Sequence, residues 1–126
     1  VLGPRHPDTL TTMGNLASTL YELGKHAEAE AMVREVLAAE REVLGPRHPS
    51  TLTTMGNLAS TLYELGKHAE AEAMVREVLA AEREVLGPRH PDTLTTMGNL
   101  AMTLGELGKP AEAEAMEREV LAARRE

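Results

Sequence analysis

Asn15-Leu-Ala-Ser-Thr-Leu-Tyr-Glu-Leu-Gly24-Lys-His-Ala-Glu-Ala29 decides the fold. Apolar residues step by three and four up to Gly24, and the same step resumes after it. That pattern reads as the end of one helix, a tight turn at a glycine suited to the left-handed C′ position, and the start of a second helix folded back on the first. The stretch returns unchanged at residues 57–71 and with three changes at 99–113.

Sliding the chain against itself by 42 residues accounts for every position: residues 1–42, 43–84 and 85–126 are three copies. The first two differ only at Asp8 and Ser50. The third departs from the second at Asp92, Met102, Gly105, Pro110, Glu117 and Arg124. Identity this high implies recent duplication or design. The opening Val1-Leu2-Gly3-Pro4 matches letters that elsewhere follow a long helical pattern, so the chain reads as a cut from a longer periodic array.

Within each copy, Gly3-Pro-Arg-His-Pro7 is a loop, and Pro7 suits the first turn of a helix. Asp8 places negative charge at that helix's positive end; Ser50 keeps a hydrogen-bond acceptor there. Leu10, Met13, Leu16, Ala17, Leu20 and Leu23 form one helical face; Thr11, Gly14, Asn15, Ser18 and Glu22 form another. In the second helix Ala29, Met32, Val33, Val36, Leu37 and Glu40 carry the step, and Pro110 in place of His26 marks its first turn. The spacing predicts helices over about 7–23, 26–44, 49–65, 68–86, 91–107 and 110–125 in one repeat domain, 1–126. A hairpin apolar on both sides cannot bury both alone, so the copies must stack. Val33 and Val75 become Glu117 in the third copy, which reads as a polar cap on an uncovered face.

Composition narrows the function. The 126 residues are 42% hydrophobic and 26% charged, a globular balance, with two Tyr and no Phe or Trp, so the core is Leu, Ala, Val and Met. A net charge of −7 argues against a nucleic-acid surface. Absent cysteine removes disulfides and thiol chemistry. No apolar run reaches the roughly 20 residues that span a bilayer, and cytoplasm is the default compartment. No phosphate-binding loop, His-Glu-x-x-His or nucleophile elbow is present, and the carboxylates of the second helix read as a solvated face, so no catalysis and no cofactor is expected. His6, His48 and His90 lie one repeat apart, roughly 10 Å in a stack of packed helices. Equivalent imidazoles therefore cannot share one metal at about 2 Å each, and His6 reads as a loop or helix-start residue.

Asn15-Leu16-Ala17, Leu20, Gly24, Ala29, Val33 and Val36 resemble the tetratricopeptide repeat. That repeat usually runs about 34 residues. The longer form, with Leu-Gly-x-x-His-Pro-Asp before an Asn-Leu-Ala helix, looks like the repeats of kinesin light chain and of bacterial and fungal signalling proteins. Two features depart from it: Met13 and Val33 replace large residues, aromatic at the former, and helix continues at Arg41 in place of a closing proline. The resemblance implies an all-α, right-handed superhelical solenoid of three antiparallel helix-turn-helix repeats, non-catalytic, binding peptides or proteins in a concave groove.

The positions that the resemblance places in the groove are Thr11, Thr53 and Thr95; Gly14, Gly56 and Gly98; Asn15, Asn57 and Asn99; Ser18 and Ser60, with Met102 in the third copy; Tyr21 and Tyr63; and Glu22, Glu64 and Glu106. An asparagine amide can both donate to and accept from a peptide backbone. Lys and Arg are missing beside it, so an acidic peptide tail is disfavoured and a basic or apolar peptide fits better, with Tyr21 and Tyr63 as anchors. Two other readings stand beside this scaffold: a spacer or assembly module with end-to-end self-association, which Glu117 opposes, and a designed or excised array with no specific ligand.

Overall fold

A computed structural model describes residues 2–126, which contain six α-helices and no strand. They are α1 (Pro7–Glu22), α2 (His26–Val43), α3 (Pro49–Glu64), α4 (His68–Val85), α5 (Pro91–Glu106) and α6 (Pro110–Arg125). In chain order they make three helix-turn-helix repeats.

Each first helix begins the same way. Proline occupies the first turn, where its missing N–H costs nothing. The preceding histidine is the N-cap, in extended conformation. Its Nδ1 accepts the backbone N–H of Asp8, Ser50 or Asp92 at 3.1 Å. The cap acceptor is thus the histidine, and Ser50, read from the sequence as able to accept a hydrogen bond there, gives its backbone N–H to that cap.

Each first helix ends at a glutamate, one residue short of the expectation, with Leu23, Leu65 or Leu107 as C-cap. Gly24 follows with φ of 80°, and the Lys25 N–H reaches back to the Leu20 carbonyl at 2.8 Å. This six-to-one bond across a left-handed glycine satisfies carbonyls the helix leaves open. The longer α2 and α4 also stop one residue early, with Leu44 and Leu86 as caps.

The chain divides into two compact units, Val1–Gly66 and Lys67–Glu126. In the first, α2 packs against both α1 and α3. Its core joins Ala17 and Leu20 of α1, Ala29, Val33, Val36 and Leu37 of α2, and Leu52, Met55, Leu58 and Leu62 of α3. In the second, α5 packs against both α4 and α6. Leu94, Met97, Leu100 and Leu104 of α5 meet the Val75, Val78 and Leu79 side of α4 and the Ala113 and Val120 side of α6. Truncating a fully buried leucine such as Leu58 or Leu100 to alanine costs about 2–5 kcal/mol.

Ion pairs bind the second unit. Glu72 meets Arg76 at 2.8 Å and Lys109 at 3.3 Å, and Arg76 reaches Glu112 at 3.1 Å. The hydrogen bond from Arg76, more than the Lys109 ammonium, holds the Glu72 carboxyl below its ordinary range, against the opposing pull of desolvation. This chain of charges ties α4 to the start of α6. No helix among the described residues is long and apolar enough to cross a membrane.

Candidate functional site

Two cavities open beside each other along α1 and α3, both floored by α2. The first is about 250 Å³ and is lined by Gly14, Ser18, Tyr21 and Glu22 of α1, Val33 and Val36 of α2, and Asn57 and Ser60 of α3, among others. The second is about 500 Å³ and takes Thr11, Asn15 and Leu10 from α1, Glu40 and Val43 from α2, and Ser50, Thr53 and Thr54 from α3. The helical step aligns the two: Thr11, Asn15, Ser18 and Glu22 lie three and four residues apart, so they form one stripe down α1 that borders first one cavity and then the other.

Small polar residues of α1 and α3 border both openings, and Leu10, Val33, Val36, Val43 and Leu44 supply apolar wall between them. Gly14 borders both cavities, and a Cβ added to it would touch nothing within 4 Å. It therefore widens the opening without being required by packing. Thr19, Thr61 and Thr103 turn their hydroxyls back to the carbonyls of Asn15, Asn57 and Asn99, at 3.1, 3.0 and 3.0 Å. The three asparagine side-chain amides themselves make no hydrogen bond among the described residues, and all three are exposed.

The upper end is acidic. Tyr21 stacks edge-on to His26 with ring centroids 4.8 Å apart. Partial burial, then the neighbouring Glu64 carboxylate, and more weakly Glu22, raise the Tyr21 phenol above its ordinary pKa. A cation entering beside Tyr21 would meet two carboxylates.

Of the residues singled out in the sequence, Thr11, Asn15, Ser18, Tyr21, Glu22, Thr53, Asn57 and Ser60 line these two cavities, and Glu64 stands beside Tyr21. Thr95, Asn99, Met102 and Glu106 share one exposed face of α5, and Tyr63 is half-buried on α3. They line neither cavity. The sequence reading missed Val36 and Thr54, which border both openings, and Glu40 and Arg5, which line the second; Arg5, paired with Glu42, thus sets a cation at the cavity of Asn15, where the sequence suggested none. The pairing of α2 with α3 alone reveals Thr54; Glu40 was visible as a charge on an apolar stripe.

Glu40 and Glu82 are buried at equivalent places, each with an Oε1 that has no partner. Burial pushes the Glu82 carboxyl above its usual range, and Asp92 adds to the rise, while Thr96 and His90 offset part of it. No group of three or more His, Cys, Asp or Glu among the described residues is arranged to hold a metal.

Two family models described as tetratricopeptide repeat match the chain. One matches residues 9–50 and 51–92, two thirds of the sequence, and the other 76–126. No curated protein sequence matches. Among solved structures, the chain is similar to a Podosopora anserina protein of nearly identical TPR-like repeats named for kinesin light chain. The TM-score is 0.86 at 28% identity, over 98% of this chain and 58% of that one. It is similar in fold to BtubC (BKLC) from P. vanneervenii, with TM-score 0.87 and 22% identity over 97% of this chain and 49% of the other. The TPR domain of Arabidopsis FLU aligns with TM-score 0.79 and 18% identity over 92% and 94%. The chain thus spans 58% and 49% of the length of the first two proteins. With one repeat model alone matching two thirds of its residues, the chain belongs to the tetratricopeptide repeat family.

Proposed function

We propose that the chain is a non-catalytic interaction scaffold that takes an extended peptide or protein segment along the α1–α3 face. Tetratricopeptide repeats generally mediate protein–protein interactions. The observation that carries the reading here is the pair of adjoining cavities, bordered by hydroxyls and by asparagine amides that have no internal partner. An amide free on both its donor and acceptor sides can pair with a peptide backbone of any sequence. The Glu22 and Glu64 carboxylates beside Tyr21 favour a basic or apolar segment over an acidic one.

The test is a random peptide library passed over the immobilised protein. Enrichment of peptides rich in Lys, Arg or apolar residues is expected. Changing Asn15, Asn57 and Asn99 together to Ala should lower the affinity of enriched peptides at least tenfold while the helical circular dichroism stays unchanged. Absence of enrichment, or binding that ignores the triple substitution, would remove the reading.

A further inference from the structure

The first cavity is too small for a whole ligand and suits a single side chain. At about 250 Å³ it falls below the roughly 300 Å³ at which pockets for drug-sized molecules begin. Its inner wall is apolar: Ala17, Val33 and Val36 line it and are 4%, 6% and 5% exposed. Tyr21 adds a half-buried ring to that wall and donates its hydroxyl to the Glu64 carboxylate. Glu22, on the next residue of α1, lines the same cavity. An aliphatic stem entering here would lie against valine and alanine, and its tip would arrive between carboxylates carried by α1 and α3.

The protein leaves those carboxylates without a cation. Glu22 and Glu64 are both exposed, and neither forms an ion pair among the described residues. The Tyr21 hydroxyl that reaches Glu64 is neutral, so the negative charge stays in place. The second cavity differs. Its charged lining is Arg5, already paired with Glu42, and Glu40, whose Oε1 is buried. Apolar wall and unmatched negative charge thus meet in the first cavity.

We propose that the first cavity is a subsite for one lysine or arginine side chain of the bound segment, its stem against Ala17, Val33 and Val36 and its cation between Glu22 and Glu64 beside Tyr21. The subsite rests on the scaffold reading for the remainder of the segment and names one residue type within it. An acidic side chain would meet like charge here. An apolar one would cover the wall and gain nothing from the carboxylates. A long cationic side chain uses both, because its methylenes bury while its charged tip stays at the water.

The probes are single residues capped at both ends, the Nα-acetyl methylamides of lysine and arginine. They are titrated into the 126-residue chain and followed through the methyl NMR signals of Ala17 and Val33, with Leu10 of the second cavity as control. Ala17 and Val33 should shift and saturate with millimolar dissociation constants, and Leu10 should stay still. Capped norleucine and capped Nε-acetyl-lysine keep the stem and lose the charge, and should bind about tenfold more weakly. Glu22→Gln and Glu64→Gln together should weaken the cationic probes by about the same factor. Both positions are exposed, and circular dichroism confirms that the double variant is folded. No saturable shift with either cationic probe overturns the proposal. So does equal binding of norleucine, or binding that the double variant leaves unchanged. Library peptides separate the subsite from the scaffold reading. Peptides that need the three asparagines but ignore the double variant overturn the subsite alone. Capped-lysine binding by a protein that enriches no library peptide supports the subsite and overturns the extended-segment reading alone.

Discussion

Thr51 and Thr93 are sealed in the core, and their hydroxyls have no hydrogen-bond partner. A buried donor left unmatched costs about 1–3 kcal/mol. Valine keeps nearly the same shape and removes the hydroxyl. Thr51→Val is expected to raise stability by about 1 kcal/mol, read as a higher denaturant midpoint at constant slope. Glu82 poses a related problem with charge. Its folded-state pKa is raised above the ordinary 4.5, first by burial. A carboxyl raised in this way supports the fold when protonated, below its unfolded pKa. That support is lost as the pH climbs through the folded value. Glu82→Gln should therefore stabilise the protein at pH 7, by on the order of 1 kcal/mol or a few degrees in melting temperature, and change little at pH 3. Equal melting shifts at both pH values would contradict the assignment.

At the scale of the element, the first helices show what a cap does that a periodicity cannot reveal. The apolar steps of Leu10, Met13, Ala17 and Leu20 made the helix readable, and proline and glycine marked its ends. The histidine was readable as a loop or helix-start residue, which its N-cap place bears out, but not its capping hydrogen bond. Ser, Thr, Asp and Asn are the usual residues at that place, and the reading gave Ser50 only the capacity to accept a hydrogen bond. The imidazole wins because Nδ1 can reach the N–H two residues on, at 3.1 Å, while Pro49 holds the turn. His48→Ala should cost about 1 kcal/mol, and His48→Asn should recover most of it, as measured by urea unfolding. The leucine after each first helix was placed inside the helix for a different reason. Side-chain periodicity continues through Leu23, but the backbone has already begun its turn toward Gly24.

At the scale of the molecule, most of the architecture was legible because a 42-residue period with so few changes repeats one physical solution three times. The grouping of groove residues on α1 followed from their helical spacing. Val36, Thr54 and Glu40 were not assigned to it, because their place depends on how α2 meets α3, and no spacing within one helix encodes that. Periodicity also hides differences between copies. Leu16 and Leu58 have identical neighbours in sequence and different neighbours in space. Leu58→Ala is expected to cost about 2–5 kcal/mol and Leu16→Ala about 1 kcal/mol or less, by thermal or chemical denaturation of the two variants side by side.

The left-over exposure of the first and last helices also has a kinetic face. Amides in α1 and α6 have a covering helix on one side only, so they open by local fraying at lower cost than those of α3 and α5. In deuterated solvent, peptides with the same sequence from α1 and α3 should therefore take up label at unequal speeds, although their intrinsic chemistry is the same.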